Sequence, residues 1–391
     1  MTIRQVFPIL ALCVFSATLG IGIISPLLPL YVSSMGATGL WLGTIMASYA
    51  ITNSIVVPII GRLSDRKGRK IFLTIGLLIY SIISVGYLFA ATPIHLVIVR
   101  LCQGVAGAMT VPVAIAYLAD LSPEGEEGRW MGYANAAFFS GFGFGPLIGG
   151  MLTERFEQAT AFYVLIGLNL LAFLIALIFL PEVRKRRTGE EFHLSFREMA
   201  GSGIIKGLFS FRLAQALGRG GIGAFLPIFA AMLGLKTSAI GILISANILA
   251  VTLLAPIGGR IADKVNRRTL IIMASILFAA VLIVIPHTNN FTQLLGVLLI
   301  QGLSASISMP AATALVVEEG RRYGMGSTMS VFFLAMGVGV AVGPIISGVI
   351  LDSFNIDSVF YFGAIMGIIG TALFVWFTRG YQGHQTSLPQ D

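Results

Sequence analysis

The chain has 391 residues, of which 56% are hydrophobic and only 11% charged, and its mean hydropathy is +0.91. No soluble fold of this length can bury so much apolar surface, so lipid is predicted to be the solvent of the folded chain. The net charge of +8 raises nucleic acid as a partner, but its placement along the chain argues against that class. The two cysteines, Cys13 and Cys102, lie in apolar runs, which indicates neither a disulfide framework nor a metal site.

Twelve apolar runs follow one another along the chain, broken by charges, glycine, proline or short polar turns. Each approaches the roughly 20 residues with which a helix crosses a bilayer. The predicted fold class is therefore an all-α membrane protein with twelve transmembrane helices. The spans cover residues 6–32, 40–61, 71–90, 94–118, 130–152, 159–180, 206–231, 238–259, 269–286, 290–316, 325–350 and 357–378.

The positive charges are distributed unevenly between the two sides of this predicted bundle. Of the 25 Lys and Arg residues, two lie on one side (Arg155 and Lys236), three lie inside spans, and the other 20 lie on the side that holds both termini. The positive-inside rule makes that side cytoplasmic. The long polar connection then gives the domains: a six-helix bundle over 1–180, a cytoplasmic linker over 181–205, a second bundle over 206–379 and a cytoplasmic tail over 380–391.

An internal repeat relates the two halves of the sequence. A shift of 198 residues superimposes helices 1–6 on helices 7–12 without a gap. An even number of helices in each half predicts two bundles related by a pseudo-two-fold axis normal to the membrane, with the substrate site between them. Matching pairs include Pro29 with Pro227, Gly43 with Gly241, Pro58 with Pro256, Asp65 with Asp263, Gln103 with Gln301, Asp120 with Glu318, and Pro146 with Pro344.

A basic loop between the second and third spans is the densest patch of charge. Residues 61–70 carry five basic side chains and one carboxylate, and residues 259–268 form a weaker copy. Gly61 and Gly68 permit close approach and a tight turn. Asp65 is placed to accept hydrogen bonds from the exposed N–H groups at the start of a neighbouring helix, a contact that contributes about 0.3–2 kcal/mol.

Three motifs resemble those of one known family. Gly61-x3-Asp65-Arg66-x-Gly68-Arg69-Lys70 matches the signature loop of the major facilitator superfamily. Arg100-x-x-Gln103-Gly104 resembles its helix 4 motif, and residues 141–150 resemble the helix 5 motif associated with antiporters. The resemblance covers nearly the whole chain and is strongest to the twelve-helix drug:proton antiporter group, whose members export amphipathic drugs, sugars or lipids.

This resemblance implies a gate on the cytoplasmic side. In it, Asp65 meets the start of helix 11 and Arg69 pairs with Asp120, which latches that side shut in the outward-facing state. The repeat supplies a mirrored set of Asp263, Arg267 and Glu318. The alternative for the basic residues of the loop, Arg66 among them, is that they only enforce topology.

Helix 5 carries a face of bare backbone. Gly141, Gly145 and Gly149 recur every four residues, and small residues at this spacing let membrane helices pack closely. Pro146 adds a kink. This pattern predicts either a specialised antiporter element, as the resemblance implies, or ordinary helix packing.

All 17 carboxylates fall in loops, in tails or at span ends, whereas three arginines fall inside spans: Arg100, Arg212 and Arg219. A buried arginine costs at least about 2.5–3.5 kcal/mol at the bilayer centre and is a functional candidate, with snorkelling to the interface as the alternative. Arg212, Gln215 and Arg219 share one face of helix 7. Arg219 is expected to face a central cavity, which would be electropositive and would favour anionic or zwitterionic amphipaths over cationic drugs.

Smaller candidates are polar or aromatic side chains on spans that line the pathway in the family. Each has an alternative role, because an interhelical hydrogen bond contributes only about 0.6 kcal/mol and an aromatic ring often serves packing. These candidates are Gln103, Asn135, Asn247, Gln301 and Tyr31.

The sequence therefore predicts a proton-coupled exporter of small amphipathic molecules that works by alternating access, resident in the plasma (inner) membrane and monomeric. The alternative is a symporter or lipid flippase for an anionic or zwitterionic substrate bound by Arg219 and Arg100. Neither a cofactor nor enzymatic chemistry is indicated, because no metal-ligand cluster, nucleotide loop or nucleophile constellation occurs. The expected partners are the substrate, a coupling ion and membrane lipid, without nucleic acid.

Overall fold

The computed structural model describes residues 3–123, 126–182, 199 and 201–381. The described ranges contain α-helices and one 3-10 turn (Ile285–His287) but no strand. Of the predicted linker and tail, residues 183–198, 200 and 382–391 lie outside them. The helices are α1 (Ile3–Ser34), α2 (Gly39–Lys67), α3 (Arg69–Val85), α4 (Pro93–Leu121), α5 (Glu127–Arg155), α6 (Gln158–Phe179), α7 (Gly203–Met232), α8 (Thr237–Lys264), α9 (Arg267–Val284), α10 (Phe291–Tyr323), α11 (Met325–Ser353) and α12 (Ile356–Phe377).

Each helix coincides with one predicted span, although several continue beyond the apolar run. The largest extensions are at the ends of α2 and α10, whose last turns carry Arg66 and Lys67 and Arg321 and Arg322, respectively. Cations stabilise the negative end of the helix dipole, so these helices persist past the predicted boundary. Eleven of the described helices are long and apolar enough to cross a membrane. The remaining one, α3, has 17 residues.

The helices pack as two groups of six. Within the first group α1 packs on α5, α2 on α4 and α3 on α6; within the second, α7 packs on α11 and α12, and α8 on α10. The groups meet chiefly along two seams, α2 with α11 and α5 with α8. The two seams are copies of each other, because α8 lies 198 residues after α2 and α11 lies 198 residues after α5.

The two ends of the bundle differ in charge. We call the end with the α2–α3, α8–α9 and α10–α11 junctions the basic face, and the other end, which carries Arg155 and Lys236, the opposite face. The seams are tight toward the opposite face, where a side chain at Gly43 would collide with the carbonyl of Pro344, and one at Gly241 with that of Pro146.

Toward the basic face the contacts across the seams stop. Gly61 of α2 and its counterpart Gly259 of α8 lie on the same helix faces as Gly43 and Gly241, and open space surrounds both. The described contacts between the groups therefore lie in the halves of the helices near the opposite face. In this conformation the space between the groups is closed at the opposite face and open at the basic face.

Candidate functional site

The polar face of α7, formed by Arg212, Gln215 and Arg219, is directed into the second group of helices. The other face of α7 is occupied by small residues, and Gly218 lies against Gly363 of α12. Arg212, Gln215 and Arg219 therefore point away from α12, toward α9, α10 and the basic half of α11. Helical periodicity predicted that these three side chains share a face, and the structure places them there.

Arg212 is surrounded by soft, weakly polar groups. Its Nη1 lies 2.8 Å from the sulfur of Met309 on α10, and its Nη2 lies 2.7 Å from the sulfur of Met336 on α11. The guanidinium also lies over the ring of Phe332, 5.1 Å from the centroid. A thioether is only a weak acceptor, so the cation is poorly compensated. Sequence reasoning missed these partners because apolar residues in spans carry no distinguishing signal.

Arg219 lies two helical turns deeper than Arg212, against α9. Its guanidinium is 6.0 Å from the ring centroid of Phe278, which is fully buried. Arg212 and Arg219 are close enough to repel one another electrostatically. The described contacts of both arginines are with the second group of helices. That Arg219 faces a pathway between the groups stays a prediction.

Several buried polar atoms around this face have no hydrogen-bond partner among the described residues. Buried polar groups are normally bonded, and an unmet one costs about 1–3 kcal/mol. No described carboxylate pairs with Arg212 or Arg219 in the structure. The region thus lacks acceptors for at least three guanidinium N–H groups. The unpartnered atoms on this face are Arg212 Nε, Gln215 Oε1 and Nε2, and Arg219 Nε and Nη2.

Arg100 in the first group has a more complete set of partners. Its Nη1 donates to Gln103 Oε1 at 3.2 Å, and the same oxygen accepts from the Tyr87 hydroxyl at 2.8 Å. The guanidinium also lies over the ring of Tyr49, 5.1 Å from the centroid. Arg100 is only 5% exposed, so it is enclosed by α2, α3 and α4 and does not snorkel. No described carboxylate pairs with the Arg100 guanidinium.

The smaller candidates mostly tie helices together. Asn247 of α8 donates to the Leu298 carbonyl at 2.6 Å and to Gln301 Oε1, both on α10. Tyr31 donates to the Ala90 carbonyl at 2.7 Å. These contacts match the interhelical role set out as the alternative. Asn135 is exposed on the basic half of α5, a position suited to the open space between the groups.

The first basic loop contains a buried ion-pair cluster. Gly68 joins α2 to α3 with φ +106°, a conformation that side chains rarely adopt. Arg69 Nε lies 3.0 Å from Asp120 Oδ2, and Arg69 also donates to Ser64 Oγ at 2.9 Å and pairs with Asp65. The Arg69 and Asp120 side chains are 11% and 6% exposed. The pair that the resemblance implies is therefore present and largely shielded from water.

The second basic loop repeats the pair with a different junction. Arg267 Nη1 lies 3.1 Å from Glu318 Oε2, and Tyr381 donates to the same oxygen at 3.1 Å. Burial, together with Glu318, raises the pKa of Tyr381 to about 12. At the position of Gly68 stands Asn266, with an ordinary φ of −54°, whose side chain caps the start of α9. Asparagine can replace glycine here because this junction, unlike the first, needs no residue with a positive φ.

The latch between groups is not formed at the basic face of this conformation. Asp65 is 57% exposed, and its described partner is Arg69 on its own side. Asp263 and Arg66 are exposed and have no described partner across the gap. Open space surrounds Gly61, so the close approach expected there is absent. Because the groups touch at the opposite face here, the latch stays a prediction for the other state.

The glycine face of α5 packs within the first group. A side chain at Gly141 would lie 2.6 Å from the Phe15 carbonyl of α1, and one at Gly149 would lie 2.7 Å from that of Ile23. Gly145 meets Gly22 of α1 backbone to backbone. Pro146 instead presents its carbonyl to α8 across the seam. The motif thus combines tight packing inside one group with contact between the groups.

In the part of the chain that the structure describes, twelve helices form two groups that meet along paired seams, an arrangement typical of polytopic membrane transporters. The chain belongs to the Major Facilitator Superfamily, whose family model matches residues 10–213 and 208–390. The motif resemblance is thereby confirmed: the protein is similar to the drug:proton antiporter-like members of the family.

Individual relatives agree with this assignment. Multidrug resistance protein 1 of Bacillus subtilis is 28% identical over 367 residues, covering 92% of each chain. Quinolone resistance protein NorA of Staphylococcus aureus is 33% identical over 189 residues, which are 47% of each chain. The solved structure of a bacterial homologue of the human lysosomal transporter Spinster, in an inward-facing conformation, has a TM-score of 0.80 with 16% identity and covers 96% of this chain and 97% of that one.

Proposed function

We propose that the protein is a proton-coupled exporter of small amphipathic molecules that works by alternating access. The observation that carries this proposal is the asymmetry of the seams, which are tight at the opposite face and open at the basic face. A transport cycle needs such a conformation and its converse. Membership of the family and the similarity to multidrug-resistance proteins support small amphipathic substrates and export as the direction of transport.

The topology follows from the charge distribution. By the positive-inside rule, we place the basic face and both termini on the cytoplasmic side. The protein is proposed to reside in the inner membrane as a monomer. Residues 1–180 and 206–379 form the two bundles, related by a pseudo-two-fold axis normal to the membrane, with 181–205 as linker and 380–391 as tail. The recurrence of contacts at a 198-residue offset supports this symmetry: Arg69–Asp120 corresponds to Arg267–Glu318.

The polar face of α7 favours an anionic or zwitterionic substrate. Arg212 and Arg219 repel one another and have no described carboxylate partner, so an anionic group brought between α7 and α10 would supply the acceptors that their N–H groups lack. Met309, Met336 and Phe332 provide an adaptable apolar wall for the rest of an amphipath. Gln103, Asn135, Asn247, Gln301 and Tyr31 line or brace the pathway.

A second candidate function is uptake by symport, or flipping, of an anionic lipid-like solute. The specific observation in its favour is that Arg100 and Arg219 lie in different groups of helices, each as a buried cation without a described carboxylate. A headgroup held by both would couple its own binding to closure of the groups. The two functions differ in the direction in which the substrate moves relative to protons.

Transport in proteoliposomes with an imposed proton gradient distinguishes them. The probe is anilinonaphthalene sulfonate, an anionic amphipath, in vesicles whose protein orientation is determined by protease accessibility of the tail. We expect the probe to accumulate on the more acidic side, against the proton flow, when that side faces the opposite face of the protein. Accumulation in the direction of proton flow would support the symporter, and movement unaffected by the gradient would contradict both coupled mechanisms.

A further inference from the structure

Two carboxylates at the opposite face reach across the seams to the starts of helices in the other group. Asp352, in the last turn of α11, accepts hydrogen bonds from the backbone N–H of Gly39 at 2.6 Å and of Leu40 at 2.8 Å. Glu154, in the last turn of α5, accepts from the N–H of Ser238 at 3.3 Å and pairs with Lys236 Nζ at 3.3 Å. Both contacts join one group of six helices to the other.

Helix dipoles and unpaired N–H groups at helix starts explain why these contacts stabilise the closed seam. A carboxylate in the last turn of a helix is disfavoured by the negative end of its own dipole. The first N–H groups of α2 and α8 lack intrahelical partners and lie at positive helix ends. Asp352 and Glu154 are therefore stabilised by the facing helix and not by their own, and only while the groups touch.

Close backbone contact lies directly beneath each carboxylate. A side chain at Gly39 would lie 2.6 Å from the carbonyl of Gly348, and one at Gly150 would lie 2.5 Å from that of Thr237. Such an approach fixes the distance between helices, so each carboxylate reaches its N–H partners without further movement. A small separation at this face would break both the backbone packing and the hydrogen bonds.

The two contacts are copies of each other. Glu154 and Asp352 are 198 residues apart, as are Leu40 and Ser238, the residues that donate to them. The copies differ in strength. Asp352 uses both oxygens on consecutive N–H groups at short distances, whereas Glu154 makes one longer hydrogen bond and an ion pair with an exposed lysine.

We infer that Asp352 and Glu154 form the gate that closes the transport pathway at the opposite face, with Asp352 as its stronger half. The inference rests on the alternating access of the proposed function. It gives the transport cycle a pair of carboxylates complementary to the predicted latch of the basic face. Opening at the opposite face requires that each carboxylate leave the helix start it caps.

Thiol labelling of protein in nanodiscs tests this gate. In a background carrying Cys13→Ser and Cys102→Ser, a single cysteine is placed at Ser245, which lies buried in the α5–α8 seam, where it accepts from Leu147 N–H at 2.9 Å. We expect Asp352→Asn to raise its maleimide labelling rate about two- to tenfold, the range that loss of a helix-dipole contact allows. Glu154→Gln should raise it less, and the double variant most.

Two controls separate gating from general damage. Asp357→Asn removes a carboxylate from the same face, in the first turn of α12, and should leave the rate unchanged. A cysteine at Gly132, which is exposed near the basic face on the same side of α5 as the seam residue Gly150 and has open space around it, should label more slowly in the gate variants because that face closes. Unchanged rates at Ser245→Cys, or faster labelling at both positions, would overturn the inference. Proton-driven transport in the same variants reports on the proposed function separately.

Discussion

Replacing Arg219 by alanine is expected to lower transport of anilinonaphthalene sulfonate by about ten- to a hundredfold, since hydrogen bonds to charged groups contribute about 1.5–3 kcal/mol. The Nε and Nη2 atoms of Arg219 are buried without a described acceptor, so an anionic substrate would accept hydrogen bonds that these groups otherwise lack. Transport of tetraphenylphosphonium, a lipophilic cation, should be unchanged or increased, because a repelling charge is removed. Initial rates for both probes in proteoliposomes give the comparison.

A second readout separates a binding role from a structural one. Arg219→Met keeps the apolar stem and removes a buried charge that has no described carboxylate, so thermal stability in detergent should be maintained or raised while anion transport falls. Arg321→Ala, at an exposed position on α10, is the matched control and should alter neither property. Equal effects on the anionic and cationic probes, or none on either, would exclude the anionic site.

Removing Arg69 is expected to be the most damaging single change at the basic face. Its pair with Asp120 is largely buried, and loss of one partner of a buried pair costs about 3–5 kcal/mol. Arg69→Ala should therefore lower the melting temperature of the purified protein markedly and abolish transport. Melting curves from intrinsic fluorescence in detergent measure the first effect.

The repeat supplies a matched control for this substitution. Arg267 and Glu318 occupy the equivalent positions, but their side chains are 32% and 34% exposed. Such a pair contributes about 0–1 kcal/mol, so Arg267→Ala should change the melting temperature little. A loss of stability as large in Arg267→Ala as in Arg69→Ala would show that burial does not set the strength of these pairs.

The number and order of helices could be predicted because lipid imposes a simple length and polarity rule on each span. Helix ends were harder to predict. α10 runs to Tyr323 where the apolar pattern stopped at 316, since its basic last turn stabilises the helix beyond the membrane. The 198-residue repeat also predicted which contacts come in pairs, as the ion pairs of Arg69 and Arg267 illustrate.

Of the candidate site, only the residues on α7 could be predicted from the sequence. Periodicity placed Arg212, Gln215 and Arg219 on one face, but not the thioethers of Met309 and Met336 beside them, because partners on distant helices depend on tertiary packing. The carboxylates at the opposite face did have a sequence signal, since the repeat aligns Glu154 with Asp352. Charges at span ends also follow from topology alone, so this alignment does not by itself predict a contact between the groups.

The conformational state is a property that the sequence does not contain. Asp65 was expected to meet the start of helix 11, and in the structure its described partner is Arg69 while the groups meet at the opposite face. The same chain must form both arrangements if it transports. Which face is closed depends on a small free-energy difference between two sets of contacts.

Distances between spin labels at the two faces test alternating access most directly. One pair replaces Trp41 and Phe354 at the opposite face and the other replaces Ile59 and Met325 at the basic face, all exposed positions on α2 or at the ends of α11. Gly43→Leu wedges the α2–α11 seam apart. We expect this substitution to lengthen the opposite-face distance and shorten the basic-face distance in the same molecules. A longer opposite-face distance with an unchanged or longer basic-face distance would contradict alternating access.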